Sequence, residues 1–162
     1  MNTTKIGAFK DIKNQIGYCG IWCGSCVAGN GTLQELTHRY KEVTEAYDLK
    51  DWAPKDFDFG EFSKGLESIQ NMPLCPGCLK EGGSPECGMR LCAREKQLDD
   101  CSDCPAPESC AHKEALDKMR SAALEAGLLV KTEKADSETL IQEWTTKLKT
   151  TWPSLILFMD ED

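Results

Sequence analysis

Histidine is nearly missing from this 162-residue chain, which has two, His38 and His112, against ten cysteines. That scarcity argues against a hydrolytic zinc centre, which draws on nitrogen or carboxylate ligands, an open coordination position and a base beside it. Glu81, Glu86, Glu95 and Asp103 lie near cysteines, but in an acidic chain such proximity names no catalytic residue. A basic footprint is lacking too. The 19 Lys and Arg face 27 Asp and Glu, for a net charge of -8 spread along the chain; nucleic-acid binding, which rests on neutralising phosphates, is disfavoured. No apolar run approaches the ~20 residues that cross a bilayer, the longest lying around Leu155 to Met159. Residues 1–10 show neither the apolar stretch nor the cleavage pattern of a signal peptide. A cytoplasmic protein outside the membrane is expected. There is no glycine-rich phosphate loop and no alternation of strands with helices, which excludes a doubly wound nucleotide-binding sheet.

What is present is enough for a folded globule. Apolar residues make up 40 % of the chain, with four Trp, five Phe and three Tyr, too many for a disordered segment. A single domain over 1–162 of this size buries about 70 % of the area its unfolded form exposes. Periodicity predicts mostly helix. Thr32 and Glu35 read as a capping box, followed by Leu33, Leu36, Tyr40, Val43 and Tyr47 as the core-facing stripe of a helix over about 32–47. Asp58 and Glu61 open a second, with Phe59, Phe62, Leu66 and Ile69 as its stripe. Ser84-Pro85 starts a third over about 85–97. A fourth, about 107–126, carries Leu116, Met119, Ala123 and Ala126, and Gly127 closes it. The last, about 137–149, presents Leu140, Ile141, Trp144 and Leu148 before Trp152-Pro153. Residues 154–159 read equally as a short strand or a final helical turn, with the acidic end at Asp160 to Asp162 facing water.

The cysteines fall in two regions: Cys19, Cys23 and Cys26, then Cys75, Cys78, Cys87, Cys92, Cys101, Cys104 and Cys110. In a reducing compartment clustered pairs read as metal ligands rather than a disulfide framework. Cys75-x2-Cys78 is the most specific signal, because a tight turn through Pro76-Gly77 sets two sulfurs roughly 3.8 Å apart, the edge of a tetrahedron with ~2.3 Å Zn-S bonds. Cys87 and Cys92 can complete that set across Gly82-Gly83. A five-residue step, however, turns about 140° around a helix, so one of the two can belong elsewhere. Cys101-x2-Cys104-x5-Cys110 supplies three sulfurs, with the fourth ligand left open between Cys92, the N-terminal trio and His112. His38 reads as a surface residue. Cys19-x3-Cys23-x2-Cys26 has the spacing of enzymes that open a [4Fe-4S] cluster to S-adenosylmethionine, yet the chain is too short for their barrel. Trp22 beside the trio reads as core. Arg90 and Arg94, four apart on one helical face, suit a carboxylate or phosphate, or more simply an intrahelical salt bridge or a nearby thiolate.

On these residues the chain resembles a prokaryotic cysteine-rich family of unknown function, DUF3795. The matching pieces are Tyr18-Cys19-Gly20-Ile21 with Cys23 and Cys26; Cys75-Pro76-Gly77-Cys78; Cys87 through Cys92-Ala93-Arg94-Glu95-Lys96; and Cys101-Ser102-Asp103-Cys104-Pro105 running to Cys110. The likeness covers about 16–115 and implies a small cytoplasmic metal-binding protein without an assigned reaction. Residues 116–162 form a helical extension beyond it.

The expectation is therefore a mainly α, small helical domain with irregular, cysteine-rich, zinc-stabilised loops, holding two zinc ions on the ten cysteines and acting by binding another protein. The alternative is an iron-sulfur or thiol-based redox protein or enzyme using Cys19, Cys23 and Cys26, with a [4Fe-4S] cluster in place of zinc.

Overall fold

Residue Asn30 begins the first long helix by bracing its entry. Its side-chain amide donates to the Gly24 carbonyl (2.9 Å) and its Oδ1 accepts from the Thr32 amide (3.0 Å), so an orphan N-H of the first turn is satisfied from two residues upstream rather than by Thr32 itself. The computed structural model describes residues 12–151, and its helices are α1 Thr32–Ala46, α2 Leu49–Trp52, α3 Phe59–Gln70, α4 Gly88–Glu95, α5 Lys113–Glu125 and α6 Ser137–Thr151. Trp152-Pro153, the 154–159 segment, the acidic end and residues 1–10 lie outside the described residues. Among the described residues there is no strand, only the isolated antiparallel bridges Ile16 to Trp22 and Ile21 to Val130.

Helix α3 starts as its sequence predicts, with Asp58 Oδ1 accepting from the Glu61 amide (3.0 Å). Two starts differ. Ser84-Pro85 opens a turn closed by the Cys87 amide on the Ser84 carbonyl (3.3 Å), and α4 begins only at Gly88. The expected 107–126 helix is split into a 3-10 turn, Pro107–Ser109, and α5. The end of α5 follows the glycine rule: Gly127 has φ +80°, and the Leu128 amide bonds back to the Ala123 carbonyl (2.9 Å).

The face that α1 buries also differs. Leu36, Tyr40, Val43 and Tyr47 are exposed, Tyr47 at 70 %, whereas Gln34, Thr37 and Thr44 are buried. Polar side chains can line that buried face because each has a nearby acceptor: Thr37 Oγ1 donates to the Leu33 carbonyl (2.7 Å), Thr44 Oγ1 to Lys41 (2.9 Å) and Gln34 Nε2 to Met72 (3.4 Å). α1 and α3 pair along their length, with Tyr40 meeting Phe62 edge-on at 6.0 Å between centroids.

The core has two parts. Ile16, Trp22 and Leu148 form one, with Leu129, Ile141 and Trp144 against it. Trp22 is 1 % exposed, its Nε1 donates to the Lys13 carbonyl (2.7 Å) and its ring lies 5.9 Å from that of Trp144, so this tryptophan is core, as its sequence context suggests. The other part is Cys19, Met89 and Leu116, joined by Ile21, Cys87 and Cys101. The segment after α5 closes both. The Lys131 amide donates to the Gly20 carbonyl (2.8 Å), and Gly20, at φ +93°, leaves no room for a side chain, since a Cβ there would stand 2.1 Å from the Lys131 carbonyl oxygen.

Below that backbone contact lies a buried ion pair. Lys131 Nζ is 2.8 Å from Asp100 Oδ2, with both side chains 2 % exposed, and 3.5 Å from Asp103. Ser137 Oγ accepts a further Lys131 proton (3.2 Å), while Asp100 Oδ1 accepts from the Ser102 amide (2.7 Å) and hydroxyl. Burial alone would lower the Lys131 pKa, but the hydrogen bond and charge of Asp100 outweigh it and the net shift is upward.

Candidate functional site

The irregular stretches between helices are ordered by four single-turn 3-10 helices, and each carries a cysteine at its start or its cap: Cys23–Ser25 capped by Cys26, Cys78–Lys80, Cys101–Asp103 capped by Cys104, and Pro107–Ser109 capped by Cys110. In two of them both members of a Cys-x2-Cys motif sit on one turn. The Cys26 amide bonds to the Cys23 carbonyl (3.1 Å) and the Cys104 amide to the Cys101 carbonyl (3.4 Å). A turn closed in this way brings its first and fourth Cα atoms within about 7 Å, the range that a disulfide spans.

The ten cysteines, all free thiols, divide between two cavities. One, of about 290 Å³, is lined by Cys19, Cys23, Cys26, Cys75, Cys78 and Cys87 together with apolar groups such as Ile12, Ile21 and Met119. The other, of about 330 Å³, is lined by Cys92, Cys101, Cys104 and Cys110 with Lys113, Asp117, Arg120, Glu133 and Lys134. Cys87, the N-cap of α4, and Cys92 within it thus serve different cavities, as the rotation of a five-residue step requires. Gly82 allows the chain to fold back over the first cavity. A Cβ there would stand 2.7 Å from the Gly77 carbonyl oxygen and 2.9 Å from Cys75 Sγ.

The metal centres anticipated from spacing are not built. Among the described residues, no group of three or more His, Cys, Asp or Glu side chains could hold a metal ion. This overturns the zinc-stabilised loops, the two zinc ions, the zinc-dependent binding module and the [4Fe-4S] cluster on Cys19, Cys23 and Cys26. The thiols line two cavity walls, six at one and four at the other, and Cys-x2-Cys spacing sets only two of them at a time on a common turn. His112 does not join the second set; its ring lies against Gly88 at the start of α4. His38 is on the surface, with Nδ1 2.8 Å from Gln70 Nε2 and Nε2 3.3 Å from Glu42.

Ionic contacts take the place that metal was expected to hold. Arg90 and Arg94 share no intrahelical partner but converge on Glu81: Arg90 Nη1 at 3.3 Å and Arg94 Nη2 at 2.5 Å. Arg90 is 2 % exposed and also donates to the Gly82 carbonyl, so it pins the loop that folds over the first cavity. The bond to Arg94 holds the Glu81 carboxyl below its usual range. Arg94 lies over the Tyr18 ring, 5.7 Å from its centroid.

The family model described as protein of unknown function (DUF3795) matches residues 15–115. The chain belongs to this family. No curated protein and no solved structure shows a significant match to it. The matched DUF3795 region holds every cysteine, yet two of the groups that complete the site lie beyond it. Arg120 donates from Nε to the Cys19 carbonyl (2.8 Å) and from Nη1 to Thr132 (3.4 Å), and Lys131 holds Asp100. Spacing did not reveal either, although Arg120 falls one turn after Leu116 on α5, next to the buried stripe.

Burial governs the thiols of this DUF3795 protein. Desolvation pushes Cys23 up to about 12, reinforced by Cys78, Cys26 and Cys75 around it and opposed by the Cys78 amide. Desolvation likewise raises Cys101 to about 11 against the pull of the Arg120 charge, and raises Cys19. At neutral pH these three are thiols, weak nucleophiles that hold their protons. No helix among the described residues is long and apolar enough to cross a membrane.

Proposed function

We propose that this DUF3795 member is a thiol-disulfide exchange module, its two exchange pairs being Cys23/Cys26 and Cys101/Cys104. The observation that carries this reading is that each of these two pairs occupies one closed 3-10 turn at the wall of a thiol-lined cavity, which the third Cys-x2-Cys pair, Cys75/Cys78, does not. Such a turn holds two sulfurs in reach of one another without a metal. Because desolvation holds Cys23 and Cys101 protonated, attack falls to Cys26 and Cys104, and the protonated member of each turn resolves the mixed disulfide. Ten free thiols suit a reducing compartment, and we place the protein's action in the cytoplasm.

The test is to equilibrate the reduced protein with graded mixtures of dithiothreitol and its oxidised form and to map disulfides by mass spectrometry. Reversible formation of Cys23-Cys26 and Cys101-Cys104 links is expected. Oxidation that yields only scrambled or intermolecular disulfides, with neither pair enriched, would remove the basis for the proposal.

A protein partner is supported by the exposed stripe of α1. Leu36, Val43 and Tyr47, with Trp52 of α2 and the part of Tyr40 left outside its contact with Phe62, present exposed apolar and aromatic surface. If exchange partners dock there, a Cys101→Ser chain should trap proteins as mixed disulfides, and adding Val43→Ser and Tyr47→Ser should sharply reduce that trapping while exchange with small disulfides persists. Equal trapping by both chains would mean that the stripe plays no part.

A further inference from the structure

The two cavities differ in a way that the thiols alone do not explain. The wall of the first is apolar, and its one guanidinium, Arg90, is bound to Glu81 and the Gly82 carbonyl. The second sets four thiols among charges of both signs, Arg120 and Lys134 with Asp117 and Glu133, while the remaining pair, Lys113 and Glu108, is closed on itself at 2.7 Å. Arg120 is the informative member. Its Nε and Nη1 are committed to backbone carbonyls, which fixes the guanidinium at the cavity wall, where its charge acts on Cys101; Nη2 is turned toward Gly20 and away from solvent. A guanidinium charge held in place beside a cavity favours a carboxylate there. At about 330 Å³ the space lies within the range of small-molecule sites.

We propose that the second cavity binds a small zwitterionic disulfide of the amino-acid type, its carboxylate on Arg120 and Lys134, its ammonium toward Asp117 and Glu133, and its sulfurs beside Cys104 and Cys101. This inference rests on the exchange reading above and names the substrate class of one of its two sites. A purely anionic molecule would meet Asp117 and Glu133, and a purely cationic one would meet Arg120, so discrimination is by like-charge penalty as well as by attraction.

The chemistry balances without any further reactant. Deprotonated Cys104 attacks one sulfur of the disulfide R-S-S-R, forming a Cys104-S-S-R bond and breaking the original one, and the departing RS⁻ takes up the proton that Cys104 gave up. Cys101 then loses its proton and displaces the second RS⁻, which gains that proton. Two protein thiols become one disulfide and one small disulfide becomes two thiols. Cys101, raised to about 11 by burial, makes the second step the slower and speeds it as pH rises.

The full reduced chain is mixed separately with cystine and homocystine (zwitterionic), dithiodiglycolate (anionic), cystamine (cationic) and hydroxyethyl disulfide (neutral). The rates at which Cys101-Cys104 and Cys23-Cys26 form are followed by quenched alkylation and peptide mapping. The ratio of the two rates within one molecule cancels the intrinsic reactivity of each reagent. That ratio is expected to favour Cys101-Cys104 by about tenfold or more for the zwitterions, a size typical of charge-guided encounter, and to fall toward the neutral reagent's value in Lys134→Gln and in Arg120→Lys. Arg120→Lys tests the fixed guanidinium, and Lys134→Gln, at an exposed position, gives the same readout should the first variant fold poorly. A ratio that is the same for all five reagents would overturn the zwitterion site while leaving exchange intact. Absence of either disulfide with every reagent would instead overturn exchange itself.

Discussion

Substituting Lys131 by Met is expected to lower the unfolding free energy by about 3–5 kcal/mol, because it strands the Asp100 carboxylate, 2 % exposed, without its counter-charge. Asp100→Leu alone should lose a similar amount by leaving the ammonium buried. The two substitutions together should recover much of the loss, since apolar replacement of a whole buried pair is often neutral or better. Urea denaturation of the wild type, the two single variants and the double variant measures this cycle. A single variant that lost less than about 1 kcal/mol, the scale of an exposed ion pair, would show that water reaches the pair and that it does not lock the segment after α5 onto the cysteine-bearing turns.

The second large effect concerns Cys23 and is expected both as protection and as pH dependence. With its thiol pushed up to about 12 from an ordinary 9.0, the population of reactive thiolate at neutral pH falls by about a thousandfold relative to an unperturbed cysteine. Pulse alkylation with peptide mapping should therefore find Cys23 among the last cysteines to be modified at pH 7, and its rate should keep climbing beyond pH 9. The same shift is linked to stability. Below pH 9 the thiol is protonated in the folded and unfolded chain alike, and no pH dependence arises. Between pH 9 and about 12 the unfolded chain ionises at Cys23 while the folded chain does not, so stability falls as pH rises, by at most about 4 kcal/mol. Cys23→Ala should flatten that part of the profile relative to wild type. Identical slopes in the two proteins would mean that Cys23 is not desolvated as described.

Some of this architecture can be read directly from the residues and some cannot, for physical reasons. A cap is local: Asp58 and Glu61 are three apart, and their bond forms whatever else the chain does. The position of α1 is legible from its periodicity, but periodicity assigns a stripe without saying what will cover it. Thr37 and Thr44 could be buried because their hydroxyls bond to their own helix, and Gln34 with its Nε2 on Met72 though its Oε1 has no partner among the described residues, while the apolar stripe remained largely outside. Cysteine spacing behaves similarly. Spacing can set two sulfurs on one turn, as at Cys23/Cys26 and Cys101/Cys104, but Cys75 and Cys78, equally spaced and expected on a tight turn, share none, the 3-10 turn there beginning only at Cys78; nor does spacing fix the distance from one turn to the next. Convergence on a metal was therefore an inference about tertiary geometry drawn from secondary geometry. The Asp100-Lys131 pair, 31 residues apart, and the Arg120 bond to Cys19, 101 residues apart, carry no local signature at all. By contrast the division of Cys87 from Cys92 was visible beforehand, because the helical rotation between them is fixed.

The closing contacts made after α5 bear on how the chain is born. Ile21 is bridged to Val130, Ser25 Oγ receives the Leu129 amide at 3.0 Å, and Cys19 is held by Arg120, all of them partners that leave the ribosome more than a hundred residues after the groups they complete. Translation runs from the N-terminus, so Cys19, Cys23 and Cys26 emerge early and wait through most of synthesis without their final shelter. During that interval nothing desolvates Cys19 and Cys23 and holds them protonated, and the early cysteines are open to solvent. The nascent chain is consequently the stage most vulnerable to stray oxidants, and its yield in an oxidising cell-free translation should depend on added reductant far more than the survival of the finished protein does.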